Sequence, residues 1–447
     1  MLNKNNYLTV LLIVSIGVFS SCKKNNDVIL KPAATGDELK DSSVIYSRDL
    51  YLWYNQVPAT FNGKIYDDPN KIMEAIRQYS TEPGFVTPVD RWSFGVKQEE
   101  WNNISNGVSA DFGLGVFFFN TNDLRVKSVE EESPAAQAGI HRGWQITKIN
   151  GSPNIAATNT QFVVENVFNS TQTNFTFQKP DGASVDIVLK AATYNEQPIF
   201  LDTVYSINAK QIGYMVFNSF LGDTAKINQA LQSVFSNFVN QNISDIIVDL
   251  RYNGGGYVSL QEKLADYLAP SSASGSLMMK QEFNDKHSNY NTSTNFKKAG
   301  ALNLPRVVFI VTKGTASASE LLINNLKPYM IVKLVGPQPT HGKPVGFFPI
   351  PVGDWYIFPV SFRTTNKNGE GKYFNGFPLN SQPPDGLDKD WGDISEPSLA
   401  SALGYVTTGS FGPQGDLNPR GVNQSALSES NTILNKYSFQ GAVGNPR

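Results

Sequence analysis

The sequence of 447 residues is nearly empty of cysteine and histidine, with one of the first and three of the second. A single thiol excludes an intrachain disulfide framework and a cysteine-built metal site. His141, His287 and His341 show none of the spacings that hold a metal ion, so no metal or other cofactor is expected. An excess of one charge is also missing. The formal net charge is −2, charged residues make up 17%, and no like-charge block long enough to suggest a tail occurs. These features argue against a nucleic-acid partner and against a charged interaction tail. No internal repeat stands out. Turn-forming residues, by contrast, are plentiful: 36 glycines and 25 prolines predict a strand-rich architecture rather than a helical bundle. The length accommodates two or three domains.

The N-terminus reads as a targeting signal. Lys4 supplies the positive start, and Tyr7 to Val18 is an apolar stretch too short and too early for a good membrane span. Phe19-Ser20-Ser21-Cys22 then brings small residues to the one cysteine. This resembles the lipobox of bacterial lipoproteins, which are cut before the cysteine and acylated on it, although Phe19 stands where an aliphatic residue is usual. The alternative is an ordinary secretory signal. The expectation is a signal over residues 1–21, lipidation at Cys22, and a tether over 22–34 that includes the polar run Lys23 to Asp27. The chain would then sit in the bacterial cell envelope, facing the periplasm or the surface, with a lipid anchor in the membrane.

Residues 35–104 read as a small helical unit. Helices are expected over 37–53 and 69–79, with Trp53, Tyr54, Trp92, Phe94 and Trp101 supplying its core. From residue 105 to 192 the pattern changes to short strands and glycine turns. Phe112-Gly113-Leu114-Gly115-Val116 leads into an apolar run, and Ser133-Pro134-Ala135-Ala136-Gln137-Ala138-Gly139-Ile140 precedes Ile149-Asn150-Gly151. The two segments in this order resemble a PDZ domain. That resemblance implies that Phe112, Gly113, Leu114 and Gly115 present backbone N–H groups to a terminal carboxylate, while a strand edge pairs with an extended peptide. From 193 to 408 strands and helices alternate, which argues for an α/β core with βαβ crossovers. Residues 271–300 are polar and are expected to form a long surface loop or flap. The tail, 409–447, is expected to be mostly irregular.

Two turns in the α/β region carry the chemistry. Thr315-Ala316-Ser317-Ala318-Ser319-Glu320 follows one apolar strand, and Thr340-His341-Gly342-Lys343 follows another. A serine hydroxyl needs a base, and a buried lysine whose pKa has fallen can serve as one. A third turn, Asp249-Leu250-Arg251-Tyr252-Asn253-Gly254-Gly255-Gly256, offers backbone N–H groups at the end of a buried strand. Together these motifs resemble the C-terminal processing peptidases, tail-specific serine peptidases that use lysine as the base. The similarity extends from the helical unit to about Tyr405. It implies a multidomain α/β protein with a crotonase/Clp-protease-like catalytic core, a strand-rich PDZ domain and a small N-terminal helical unit.

By the same resemblance Ser317 is the nucleophile and Lys343 the base. Gly254 or Gly255, with Ala318, would supply the oxyanion donors. Ser319 competes with Ser317 within its turn but is placed more naturally as the helix N-cap. Relatives often carry a glutamine four residues after the lysine; here that residue is Phe347. Glu320 either orients the dyad or serves as a first-turn carboxylate on the helix dipole. Asp249, Arg251 and Asp385 are read as structural, and His341 as a filler rather than a base. The expected substrates are polypeptides, engaged through their C-termini. Two rival readings are a peptide-binding protein that has lost activity on this fold and an acyl-CoA enzyme of crotonase type. The export signal and the PDZ segment argue against the second. Oligomeric state is not legible.

Overall fold

A computed structural model describes residues 36–411, 430–434 and 441–444. Cys22, the signal and most of the tail lie outside the described residues.

The centre of the molecule is a five-stranded sheet. Its order is Ile331–Val335, Arg306–Ile310, Asp245–Asp249, Lys210–Phe217 and Ile199–Ile207. The first four strands run parallel, and the last closes the edge antiparallel to its neighbour. Strands covered on both faces should be apolar at successive positions, and Arg306–Ile310 shows this. Val307 and Phe309 enter the core on one side with helices Thr224–Asn240, Val258–Leu268 and Ala318–Leu326. Val308 and Ile310 meet helix Pro397–Thr408 on the other. The expected βαβ alternation is present, and the glycine, serine and lysine turns follow the carboxyl ends of these parallel strands, where α/β sheets place their ligands.

A second sheet is antiparallel throughout, with its strands in sequence order: Leu114–Asn120, Asp123–Val129, Gln145–Ile149, Gln172–Gln178 and Ser184–Lys190. Its inner face packs Phe118, Leu124, Ile146, Phe175 and Phe177 against Val163, Val164 and Val167 of helix Thr160–Val167. Leu114–Asn120 forms one edge.

The N-terminal segment holds helices Asp37–Leu50 and Pro69–Ile76. The second starts as its residues dictate, with Pro69 at the first helical position and Asp68 accepting from the Lys71 N–H at 2.8 Å. Such a cap stabilises by about 1 kcal/mol. Strand Phe94–Lys97 then pairs with Trp355–Phe358, joining this segment to the core.

Two stretches differ from the sequence expectation. Within residues 271–300, strands Leu277–Phe283 and Thr292–Asn295 form a hairpin that also pairs with Phe362–Asn366. Met278 and Met279 are buried there, so apolar anchoring and a partner strand 80 residues away outweigh the polar composition. In the tail, residues 430–434 are helical and Gly441–Val443 is a strand inserted beside the glycine turn.

Candidate active site

The serine turn is built by strain and burial. Ser317 has φ 58° and ψ −108°, a left-handed backbone that a side-chain-bearing residue avoids unless the surroundings impose it. It occupies the N-cap of helix Ala318–Leu326. This corrects the expectation for Ser319, which lies inside the first turn and donates its hydroxyl to the Asn253 carbonyl at 3.1 Å. The helix begins two residues earlier than the sequence suggests because Glu320 accepts the Ser317 N–H at 2.9 Å and so satisfies an open helix donor. Ser317 is 1% exposed, and its Oγ makes no hydrogen bond among the described residues.

Glu320 does more than cap. Its Oε2 also accepts the Lys343 N–H at 2.8 Å, while Oε1 accepts Thr340 Oγ1 and the Gly342 N–H, each at 2.6 Å. One buried carboxylate therefore fastens the serine turn to the lysine turn through four donors. It acts on the backbone of both residues rather than on the amine. Burial pushes its pKa up, and the four donors work against that rise.

Lys343 is 1% exposed. Desolvation drives its pKa well below the usual lysine value, opposed by the negative field of Asp90 and reinforced by Arg77. A neutral amine is the form a base requires. Its Nζ lies 3.6 Å from the centre of the Phe347 ring and 5.6 Å from that of Trp92. The amine is thus seated over the residue that stands in place of the usual glutamine. His341 accepts from the Trp92 Nε1–H at 2.9 Å, and burial lowers its pKa to about 3. Its ring nitrogen is committed to a structural bond.

The glycine turn approaches the serine turn through backbone. The Ala316 N–H donates to the Asn253 carbonyl at 3.0 Å. A Cβ on Gly255 (φ 105°) would lie 3.0 Å from the Ala318 nitrogen, so only glycine fits. The Gly255 N–H, however, donates to Asn253 Oδ1 at 3.0 Å. Of the two glycines expected as oxyanion donors, Gly255 therefore has its N–H engaged inside the turn. Asn253, which the sequence reading did not single out, locks this turn, with its Nδ2 donating to the Phe217 carbonyl at 2.8 Å. Its signal was its place between the strand and the glycines.

Beneath the turn, Arg251 is enclosed by Asp249, Asp385 and Glu396 at 2.7, 2.9 and 2.9 Å. Arg142, from the antiparallel sheet region, reaches Asp385 at 2.8 Å, and the Tyr252 hydroxyl donates to the same carboxylate. A cleft of about 810 Å³, lined by Arg91, Trp92, Phe94, Tyr252, Gly254 and Gly255, opens onto the turn.

The loop Phe112 to Gly115 starts the edge strand of the antiparallel sheet. Phe112 is buried against Phe175, and the Gly113 N–H turns inward to Asp111 Oδ1 at 2.7 Å. Leu114 is buried in the same core. The described residues contain no group of three or more His, Cys, Asp or Glu side chains that could hold a metal ion and no helix long and apolar enough to cross a membrane.

Residues 211–375 match the model of Peptidase family S41. A probable CtpA-like serine protease of Staphylococcus aureus is 28% identical over 260 residues, covering 57% of this chain and 49% of its own length. A protein of the same description from Staphylococcus saprophyticus is 27% identical over 300 residues, covering 66% and 57%. The chain thus spans about half the length of these curated relatives. Among solved structures, one from Bacteroides fragilis, described as a candidate S41 protease, superimposes with a TM-score of 0.67 at 22% identity, covering 84% of this chain and 99% of that one. The mixed α/β fold is shared.

Proposed function

Given that the chain carries a peptidase family S41 unit at residues 211–375, we propose that it is a serine endopeptidase of the C-terminal processing type, working with a Ser317–Lys343 dyad. The observation that supports this most is the Glu320 clamp. It holds a strained serine and a buried lysine of lowered pKa on adjoining turns. In this reading Lys343 Nζ swings off the Phe347 ring and accepts the Ser317 hydroxyl proton as Oγ bonds to the peptide carbonyl carbon. The carbonyl oxygen becomes an oxyanion facing the Gly254 and Ala318 N–H groups. Collapse breaks the C–N bond, and Lys343 returns the proton to the leaving amine. Water then attacks the acyl ester, again giving its proton to Lys343, and Ser317 is restored.

The wider reading makes residues 105–192 a PDZ domain that captures or gates polypeptide C-termini through Leu114 and Gly115. Residues 35–104 are its helical companion and 193–408 the peptidase core. A lipid on Cys22 would hold the protein in the bacterial envelope. These assignments rest on the sequence motifs and on the antiparallel sheet, of which Leu114–Asn120 forms one edge.

The test is hydrolysis of an unfolded protein by wild type, Ser317→Ala and Lys343→Ala. Both variants are expected to lose at least about a thousandfold in kcat, as removal of a nucleophile or its base does. Undiminished hydrolysis by either would remove the dyad. The second reading, a peptide-binding protein without useful activity, is favoured by the absence of a hydrogen bond on Ser317 Oγ and by the seating of Lys343 on Phe347. It predicts that a serine-reactive phosphonate leaves Ser317 unlabelled while peptide C-termini still bind.

A further inference from the structure

The strand Gly441–Val443 lies between the glycine turn and the lysine turn. It runs parallel to Gly255–Tyr257, with Gly441 opposite Gly255 and Val443 opposite Tyr257. On this side the Gly441 N–H donates to the Gly254 carbonyl at 2.9 Å. On the other side the Phe347 N–H donates to the Ala442 carbonyl at 3.1 Å, and the Gly444 N–H to the Phe347 carbonyl at 2.9 Å. Both edges of the segment are therefore paired, by the two elements that flank the proposed chemistry. The Gly441 carbonyl lies where a Cβ on Gly255 would meet it at 2.5 Å, a position that Cβ would share with the Ala318 nitrogen at 3.0 Å. Its side chains fit a small space: Ala442 is buried with Val258, Met279, Leu321 and Phe362, and Gly444 rests against the Phe362 ring.

The tail makes a second contact of the same kind. Asn431 pairs its side-chain amide with the backbone of Phe118, accepting the N–H at 2.9 Å and donating to the carbonyl at 3.0 Å. Phe118 belongs to the edge strand that follows the Gly113-Leu114-Gly115 loop. Ser430 Oγ donates to the Ala157 carbonyl at 2.6 Å, and Leu434 is buried in the core of the antiparallel sheet. An amide paired in this way occupies hydrogen-bonding positions that an added peptide strand would use.

We propose that the groove between Gly255–Tyr257 and Phe347 is the seat of an extended substrate strand, selective for small side chains at the Ala442 position, and that the chain's own tail occupies it as an intramolecular competitor. This rests on the peptidase reading only in naming the displaced ligand a substrate. A substrate polypeptide must first displace residues 441–444 from the groove and 430–434 from the edge strand. Because the tail pairs with the backbone of Phe347, whose ring carries the Lys343 amine, its departure also frees the segment that seats the base.

The test uses the full chain in a Ser317→Ala background, so that nothing is cut, with a fluorescein-labelled synthetic peptide of residues 430–447 as the probe. Ala442→Trp overfills the small pocket and Asn431→Ala removes the pair with Phe118, so each weakens the tail's hold. Apparent affinity for the probe is expected to rise by about tenfold or more in Ala442→Trp, because binding is reduced in proportion to the fraction of groove that is free. Asn431→Ala should give a smaller rise. Unchanged affinity in both overturns the proposal, whether or not the wild type cleaves anything. The unmodified protein provides a measurement that needs no variant: the Gly441 and Gly444 amides should exchange hydrogen slowly and become fast when excess probe replaces them. Fast exchange without probe also overturns it. Loss of hydrolysis in Ser317→Ala bears on the dyad alone, so the two readings fail separately.

Discussion

The Lys343 amine sits 3.6 Å from the centre of the Phe347 ring, the side chain four residues further along the same turn. Two effects compete at this amine. Burial drives the pKa well below the ordinary lysine value, whereas an aromatic face favours the charged form by about 0.5–2 kcal/mol. Burial prevails, and the ring moderates it. Phe347→Leu keeps most of the packing and removes the π face, so the pKa of the amine should fall further. The acid limb of the pH profile of kcat/KM, which reports the free enzyme's base, should then move to lower pH by about half a unit to one unit. A limb that stays in place would show that the ring does not act on the base.

The same burial has a cost in stability. Burial holds the pKa of the folded Lys343 amine well below 10.5, the ordinary value that the unfolded chain keeps. Below the folded pKa the penalty is fully present. Between the folded pKa and about 10.5 the unfolded state binds more protons, so stability rises with pH across that window. Lys343→Met fills a similar volume without a charge. It should be inactive but more stable than wild type at pH 7, each unit of displacement contributing about 1.4 kcal/mol. That advantage should shrink steadily towards pH 10, as followed by urea midpoints. A constant advantage at all pH values would mean that packing, not ionisation, is responsible.

Glu320 accepts four hydrogen bonds with two oxygens, two on each. A glutamine of the same shape turns one oxygen into a donor and leaves two buried donors facing it. Glu320→Gln should therefore cost about 2–5 kcal/mol of stability, near the sum of two unsatisfied groups. Thr340→Val removes one of the four and should cost about 1–2 kcal/mol. Because the carboxylate fastens Ser317 and Lys343 by their backbones, the loss in Glu320→Gln should fall mainly on kcat, with KM moving little. A change confined to KM would assign Glu320 to binding instead.

Much of this arrangement is legible in the sequence because it is local. Helices Thr224–Asn240 and Val258–Leu268 and strand Ile331–Val335 fall within 193–408, where strands and helices are expected to alternate. The three turns that carry the chemistry are spelled out in small residues and meet at the ends of parallel strands. Contacts between distant segments are not legible. Nothing near Asn431 announces Phe118, and the Ser271 to Gly300 stretch looks like a loop because its anchor, strand Phe362–Asn366, lies far along the chain. The role of Ser317 as N-cap is a different case. Placing Glu320 at the helix start points to Ser319, but Glu320 is the third residue of the helix and accepts the Ser317 N–H, as in a capping box. That Ser-x-x-Glu pattern is legible locally; the positive φ of Ser317 is not.

The ion cluster under the glycine turn gives the last prediction. Arg251 is buried and meets Asp249, Asp385 and Glu396, while Arg142 shares Asp385. Burial pushes the Asp385 pKa up, but Arg142 and Arg251 outweigh it and hold the carboxyl below its ordinary value of 3.8. A depressed carboxylate contributes stability that is present above 3.8 and is lost as pH falls through the lower folded value. Arg251→Met removes the shared cation and leaves three carboxylates enclosed together, which should cost about 3–5 kcal/mol at pH 7. In acid those carboxylates can take up protons, and wild type loses the contribution of Asp385, so the gap in stability should narrow below pH 3.8. The glycine turn rests on this cluster through Tyr252, whose hydroxyl donates to Asp385, so the variant should also lose activity at temperatures well below its melting point. A gap that is the same at pH 7 and in acid would place the damage in lost packing around Trp391, whose ring lies 5.1 Å from the Arg251 guanidinium.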